Sequence, residues 1–222
     1  MVAILPGLLH PGSGRRSRPY GSGLLLWQYG DMPNFRRVHL PGGTFFFTVV
    51  TDGRAPYLCD DSAPQLLRDV LREVRTRWPF EVDAIVVVPD HLHAIWTLPT
   101  EDSDYSKRWA WVKKEFTKRW LQSGHSERVR SSGRAHDGRR GVWQPKFWEH
   151  AIRDERDLER HVEYIHYNPV KHGAARCPHE WRWSSFARWV RAGIHAADWA
   201  CSCDPMAQVK VEFADLSRTV GE

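Results

Sequence analysis

Between Thr44 and Val50 the chain reads TFFFTVV, a run of aromatic and β-branched residues bounded by Pro41-Gly42 and Asp52-Gly53. Such side chains pack well on a pleated surface and the flanking pairs favour turns, so the run predicts a first strand. The period then changes. Leu66, Leu67, Val70, Leu71, Val74 and Trp78 recur at helical spacing, Ser62-Ala-Pro-Gln65 matches a capping box, and Pro79 predicts the stop. VDAIVVV and HLHAIWTLP, separated by the tight turn Pro89-Asp90, predict two further strands running antiparallel. From Asp104 to Leu121 a second helix is predicted, with Tyr105, Trp109, Val112, Phe116 and Trp120 as its apolar stripe. Phe147 to Arg153 suits a fourth strand. Asp154 then caps a third helix that runs towards Asn168-Pro169, with Leu158, Val162 and Ile165 as its buried stripe.

The order β-α-β-β-α-β-α predicts an α+β fold, a ferredoxin-like (split β-α-β, RRM-like) antiparallel sheet with helices on one face and one additional C-terminal helix. The domain is expected over 32–200. Residues 1–31 are rich in Gly, Pro and Arg without a sustained period and read as a disordered leader, Met32 being an alternative start. Residues 122–141 read as a polar, basic loop, 201–222 as a polar tail, and WRWSSFARWVRAGIHAADW as a segment wrapping the domain.

Composition narrows the partners. Of 222 residues, 41% are hydrophobic, enough for a real core, and 32 Lys+Arg against 27 Asp+Glu give a net charge of +5. That balance permits an anionic partner without requiring one. The twelve tryptophans fill cores in the ordinary case, but indoles also stack on bases. Cys59, Cys177, Cys201 and Cys203 contain no C-x-x-C pair and are read as reduced thiols. No apolar run approaches the ~20 residues of a membrane span, so a cytoplasmic protein with no membrane partner is expected.

Chemistry concentrates in two places. On a strand, His91 and His93 project to one face while Leu92 enters the other, and two convergent imidazoles are half of a metal site. On the third helix Asp157, His161, Tyr164 and Asn168 fall along one edge at i, i+4, i+7 and i+11. Neighbours four apart have Cβ atoms about 5–6 Å from each other, so Tyr164 and Asn168 can serve one site. Pro169 disfavours helical geometry at Asn168, which predicts that residue at the helix end, and Asn168-Pro169 is equally an ordinary stop signal. Tyr167 is the rival phenol, on the far side of the wheel from Asp157. On the fourth strand either Trp148 with His150, or Glu149, faces the site; Glu149 would then orient an imidazole from outside the ligand set. Arg36, Arg37, Lys113, Lys114, Lys118, Arg153, Lys171 and His172 are candidate phosphate contacts, against the usual reading of such residues as solvated surface.

PDHLHAIWTLP, WQPKFWEHAIR and HVEYIHYNPVKHG, in this order and spacing, resemble the REP-associated tyrosine transposases, a branch of the HUH single-tyrosine transposases. The resemblance runs from about Phe35 to Trp199 and leaves 122–141 as an apparent insertion. It implies a DNA nickase and strand transferase acting on single-stranded DNA hairpins, the repetitive extragenic palindromes (REP), through a 5′-phosphotyrosine intermediate. By resemblance Tyr164 is the nucleophile, and His91, His93 and Asn168 hold a divalent metal, Mg²⁺ or Mn²⁺. His161 or His150 would assist removal of the phenol proton. One tyrosine per chain is compatible with a monomer and with a homodimer. Two other readings stay open: a non-catalytic hairpin-binding protein with an RRM-like sheet, and a Zn²⁺ hydrolase built on the H-x-H pair, the latter weakened by the lack of an H-E-x-x-H motif.

Overall fold

The computed structural model describes residues 37–60, 62–127, 140–202, 213, 216, 220 and 221. Residues from Val38 onward belong to one compact unit. Its sheet has four strands, β1 (Thr44–Val50), β2 (Glu81–Val88), β3 (His91–Thr97) and β4 (Trp148–Ala151), in the order β2-β3-β1-β4. All three pairings are antiparallel. With α1 (Ala63–Arg77) linking β1 to β2 and α2 (Tyr105–Gln122) linking β3 to β4, this is the expected split β-α-β plan.

The two faces of the sheet bury different sets of residues because side chains alternate along each strand. Phe45, Phe47, Leu92, Ala94 and Trp96 point towards α1 and α2. There Trp96 stacks on Trp109 at 4.0 Å, and the whole expected stripe of α2 is buried. Truncating either indole to alanine is expected to cost about 3–5 kcal/mol. Phe46, Val86, Val88 and Ile95 point the other way and are covered by α3 (Glu155–Lys171), through Val162, Tyr164 and Ile165. This third helix thus occupies the face that the crossover helices leave open.

The edge strand β2 is protected by the chain that follows α3. Trp183 and Ser185 bond its backbone (Val87 N–H to Trp183 O, 2.8 Å; Ser185 N–H to Ile85 O, 2.8 Å), leading into α4 (Phe186–Arg191). The segment 201–222, expected to be a polar tail, contributes apolar residues to the α3 face: Leu216 and Val220 are buried there and Phe213 packs against them. The leader 1–31 lies outside the described residues, as does 128–139 of the basic loop.

Three local expectations are corrected. Ser62 has helical backbone angles and makes no side-chain cap, and Gln65 bonds Asp69 at 3.1 Å instead of reaching back, so the capping box is not formed. The third helix does not stop at Asn168 but continues through Pro169 to Lys171. Burial of His166, Asn168 and Pro169 on the core side offsets the helical hydrogen bond that proline cannot donate. Cys177 and Cys201, read as separate reduced thiols, are paired as a disulfide with Cα atoms 4.3 Å apart, a proximity created by the turn of chain after α3; Cys59 is free. Among the described residues no helix is long and apolar enough to cross a membrane.

Candidate active site

His91 and His93 are brought to the α3 face by the parity of β3, opposite Val50 and Thr48 of β1. Both are buried, with ring centroids 4.8 Å apart. Each imidazole is oriented through Nδ1. His93 Nδ1 lies 2.9 Å from Thr48 Oγ1, whose own proton goes to the Val220 carbonyl. The threonine oxygen therefore accepts from His93, and the lone pair of that ring resides on Nε2. His91 Nδ1 lies 2.7 Å from Asp90 Oδ1, and Arg54 donates to the other oxygen at 3.0 Å. The hydrogen bond from His91 is the largest cause holding the Asp90 carboxyl down at about 2. An ionised acceptor at Nδ1 again leaves the His91 lone pair on Nε2.

Tyr164 sits across from this pair, 2% exposed, with its ring 5.3 Å from His93 and 6.2 Å from Phe46. From the last turn of α3, Lys171 reaches back seven positions and donates to the phenol oxygen at 2.8 Å. His172 stands 5.2 Å from the His91 ring, centroid to centroid, beside a depression of about 320 Å³ that Arg54, Asp90 and His172 help to line. Asn168, one turn after Tyr164 on the same helix, is fully buried, its Oδ1 shielded from solvent. Phe213 closes over the phenol edge-on at 5.2 Å and also meets the ring of Tyr167 at 5.7 Å.

Two imidazole nitrogens and an amide oxygen are a chemically coherent donor set for a divalent cation.

A second group lies where β4 meets the start of α3. His150 and His161 stack at 4.7 Å, and His150 Nε2 and Asp157 Oδ2 are 2.9 Å apart. His161 Nδ1 lies 2.7 Å from the backbone carbonyl of Asp157, and burial lowers its pKa. Burial alone would raise the Asp157 carboxyl, but hydrogen bonds from Arg153 and His150 outweigh it and hold it far below the usual range. The ligand atoms of His150, Asp157 and His161 lie within 4.8 Å of one another, close enough to hold a metal ion.

The register also resolves the alternatives for β4. His150 pairs with Phe46 and Trp148 with Thr48, so both face α3, while Glu149 pairs with Phe47 and faces α1 and α2. Glu149 is therefore on the wrong side of the sheet to orient His91 or His93, a correction of one residue in parity.

The basic candidates divide. Lys171 and His172 belong to the tyrosine site. Lys113 donates to the carbonyls of Gln144 (2.9 Å) and Lys146 (3.2 Å), pinning the segment that leads into β4. Lys114 and Lys118 are exposed along a groove of about 830 Å³ lined also by Arg140 and Lys146. Arg153 bonds Asp157 at 3.0 Å, Arg37 lies half-buried ahead of β1, and Arg36 is outside the described residues. Sequence reasoning missed Thr48 and Asp90 as partners of the histidines and Lys171 as the partner of the phenol. Asp90, adjacent to His91, and Lys171, two helical turns after Tyr164, carried a local signal; Thr48 carried none.

A ferredoxin-like sheet that holds a histidine pair and a helix-borne tyrosine on one face defines the class to which this chain is to be compared. No family model matches the chain. A REP-associated tyrosine transposase of Escherichia coli K12 is 42% identical over 169 residues, covering 76% of this chain and 92% of the relative. A Haemophilus influenzae protein named "Putative REP-associated tyrosine transposase" is 39% identical over 173 residues, with 78% and 96% covered. The solved structure of a REP-associated tyrosine transposase bound to a REP hairpin superposes with a TM-score of 0.65 at 38% identity, covering 86% of this chain and 98% of that one. The chain belongs to the REP-associated tyrosine transposases.

Proposed function

We propose that the protein is a metal-dependent DNA nickase and strand transferase that acts on REP-type single-stranded hairpins, with Tyr164 as nucleophile. The observation that carries this reading is the buried phenol of Tyr164, set against His93 of a histidine pair and hydrogen-bonded by Lys171. The relatives' names and the hairpin in the solved homologue support the choice of substrate.

In the proposed step the Tyr164 oxygen attacks a phosphodiester phosphorus. The phenol O–H bond breaks as an O–P bond forms, the bond to the 3′-oxygen breaks, and that oxygen takes up a proton from solvent to leave as a 3′-hydroxyl, the phenol proton having passed to solvent, while the 5′ end stays linked to the enzyme. The phosphodiester energy is retained, so rejoining needs no ATP. Lys171 places a positive charge at the oxygen that becomes more negative as its proton departs. Asp90 and Thr48 orient the two imidazoles through Nδ1, which puts each ring's lone pair on Nε2. His91, His93 and Asn168 would hold Mg²⁺ or Mn²⁺, the latter better matched to nitrogen ligands. When bound, that cation supplies Lewis-acid polarisation and charge screening at the scissile phosphate.

We assign the cation to the histidine pair rather than to His150, Asp157 and His161. There the Arg153 guanidinium, 3.0 Å from Asp157, already balances the carboxylate and opposes a further positive charge. That group instead ties the start of α3 to β4, which sets the height of Tyr164 over the sheet.

The test is incubation of the full chain with a labelled REP-type hairpin and Mn²⁺, followed by a denaturing gel. A covalent protein–DNA adduct that disappears in Tyr164→Phe is expected. Tight hairpin binding with no adduct would favour a non-catalytic binding protein, and an adduct that survives in Tyr164→Phe would remove Tyr164 from the role.

A further inference from the structure

Beyond α3 the chain passes through Cys177, a short 3-10 turn (Pro178–Glu180) that contains His179, and α4 before returning to Cys201. The ligand atoms of Cys177, His179 and Cys201 all lie within 4.8 Å of one another. His179 Nδ1 is 3.4 Å from Cys201 Sγ. None of these residues takes part in the tyrosine site.

The backbone around the cluster is already tied together. Ser202 donates to the Arg176 carbonyl through both its N–H (3.0 Å) and its hydroxyl (2.7 Å), joining the residue before one cysteine to the residue after the other. Glu180 accepts from the backbone N–H groups of Arg176 (2.9 Å) and Cys177 (3.3 Å), which fixes the turn that presents His179. The cysteines are therefore held together by hydrogen bonds that do not depend on the bond between their sulfurs.

We propose that in the reduced protein Cys177, His179 and Cys201 form a structural zinc site. A disulfide between the cysteines uses no imidazole, whereas a thiolate–imidazole set is the preferred ligand chemistry of Zn²⁺. In a tetrahedral zinc site with Zn–S near 2.3 Å and Zn–N near 2.0 Å, sulfur and nitrogen ligands stand roughly 3.5 Å apart and two sulfurs roughly 3.8 Å. The His179–Cys201 separation of 3.4 Å already suits this. The sulfurs of Cys177 and Cys201 must part, by rotation of their side chains.

Binding replaces each thiol proton by a bond to zinc: the S–H bonds of Cys177 and Cys201 break, two S–Zn bonds form, and two protons pass to solvent without any change of oxidation state. A nascent chain in a reducing compartment supplies both thiols. The metal would close the loop that carries Trp183 and Ser185 onto the edge of β2 and would anchor the chain just after Lys171. The site is thus a clamp on the element that ends the tyrosine helix.

The experiment uses the full chain, expressed with added Zn²⁺ and purified under a phosphine reductant without chelator. Metal content is measured by mass spectrometry of the elements, alongside the intact mass under non-reducing denaturing conditions. About one zinc per chain is expected, falling at least about tenfold in Cys201→Ser and in His179→Ala. It should be unchanged in Cys59→Ser and in His91→Ala/His93→Ala, which separates this site from the histidine pair. Replacement by Co²⁺ should give a sulfur-to-cobalt charge-transfer band in the wild type, a readout that holds even where a cysteine variant fails to fold. Zinc that persists in His179→Ala, or a zinc-free wild type whose intact mass shows Cys177 and Cys201 as thiols, would overturn the proposal.

Discussion

The contact between Lys171 and Tyr164 gives the sharpest test of the proposed chemistry. Lys171→Met keeps most of the aliphatic stem and removes the ammonium that lies 2.8 Å from the phenol oxygen. At that separation a full charge on the oxygen is stabilised by about 1.5 kcal/mol in a water-like dielectric, and by several times more in a shielded site. Lys171 is exposed at the end of α3, so the lower figure applies. About 1.5 kcal/mol corresponds to roughly a tenfold fall in the rate of attack. The assay is single-turnover adduct formation at saturating hairpin, where a loss of DNA affinity does not contribute to the rate. Lys171→Arg, which keeps a cation at the same reach, should recover most of the loss. A Lys171→Met rate within twofold of wild type at saturating DNA would show that the ammonium is not part of the chemical step.

Three further outcomes follow from the geometry. Thr48→Val removes the acceptor for His93 Nδ1 and the donor to Val220, and should weaken Mn²⁺ binding about 10- to 100-fold, read by titration of the paramagnetic ion. Glu149→Gln should leave adduct formation unchanged because Glu149 faces α1 and α2, whereas His150→Ala should lower it by loosening the start of α3; equal losses in both would contradict the register argument. His166 is fully buried between Ser185 and His195, and burial lowers its pKa to about 3. A base whose folded pKa is depressed stays neutral in the fold while the unfolded chain takes up a proton, so stability falls as pH drops from about 6.5 towards 3. About 2 kcal/mol should be lost between pH 6.5 and 5, measured by urea denaturation, and His166→Gln should flatten the profile.

The secondary structure was legible because it depends on periods that neighbouring residues share. TFFFTVV, the paired strands around Pro89-Asp90 and the aromatic stripe of α2 all lie where those periods put them. The face shared by His91 and His93 follows from a strand's period of two, and the helix edge holding Tyr164 and Asn168 from a period of 3.6. Where a local rule failed, packing had overruled it. Pro169 is carried inside α3 by its buried neighbours, and Ser62 adopts helical angles in place of a cap.

What the chain order alone determined, then, was which residues can share a face: the histidine pair on one side of a strand, the phenol and amide on one edge of a helix. Only the tertiary structure decided which of those faces meet. The parity of β4, which turns His150 inward and Glu149 away, is set by pairing with β1 about a hundred residues earlier. The Thr48–His93 bond spans 45 positions of sequence. The meeting of Cys177, His179 and Cys201 likewise arises from how the chain after α3 settles on the domain. Periodicity is a local property of the backbone and can be read from neighbours. Register and docking are set by side chains far apart in sequence burying one another, and they exist only in the folded molecule.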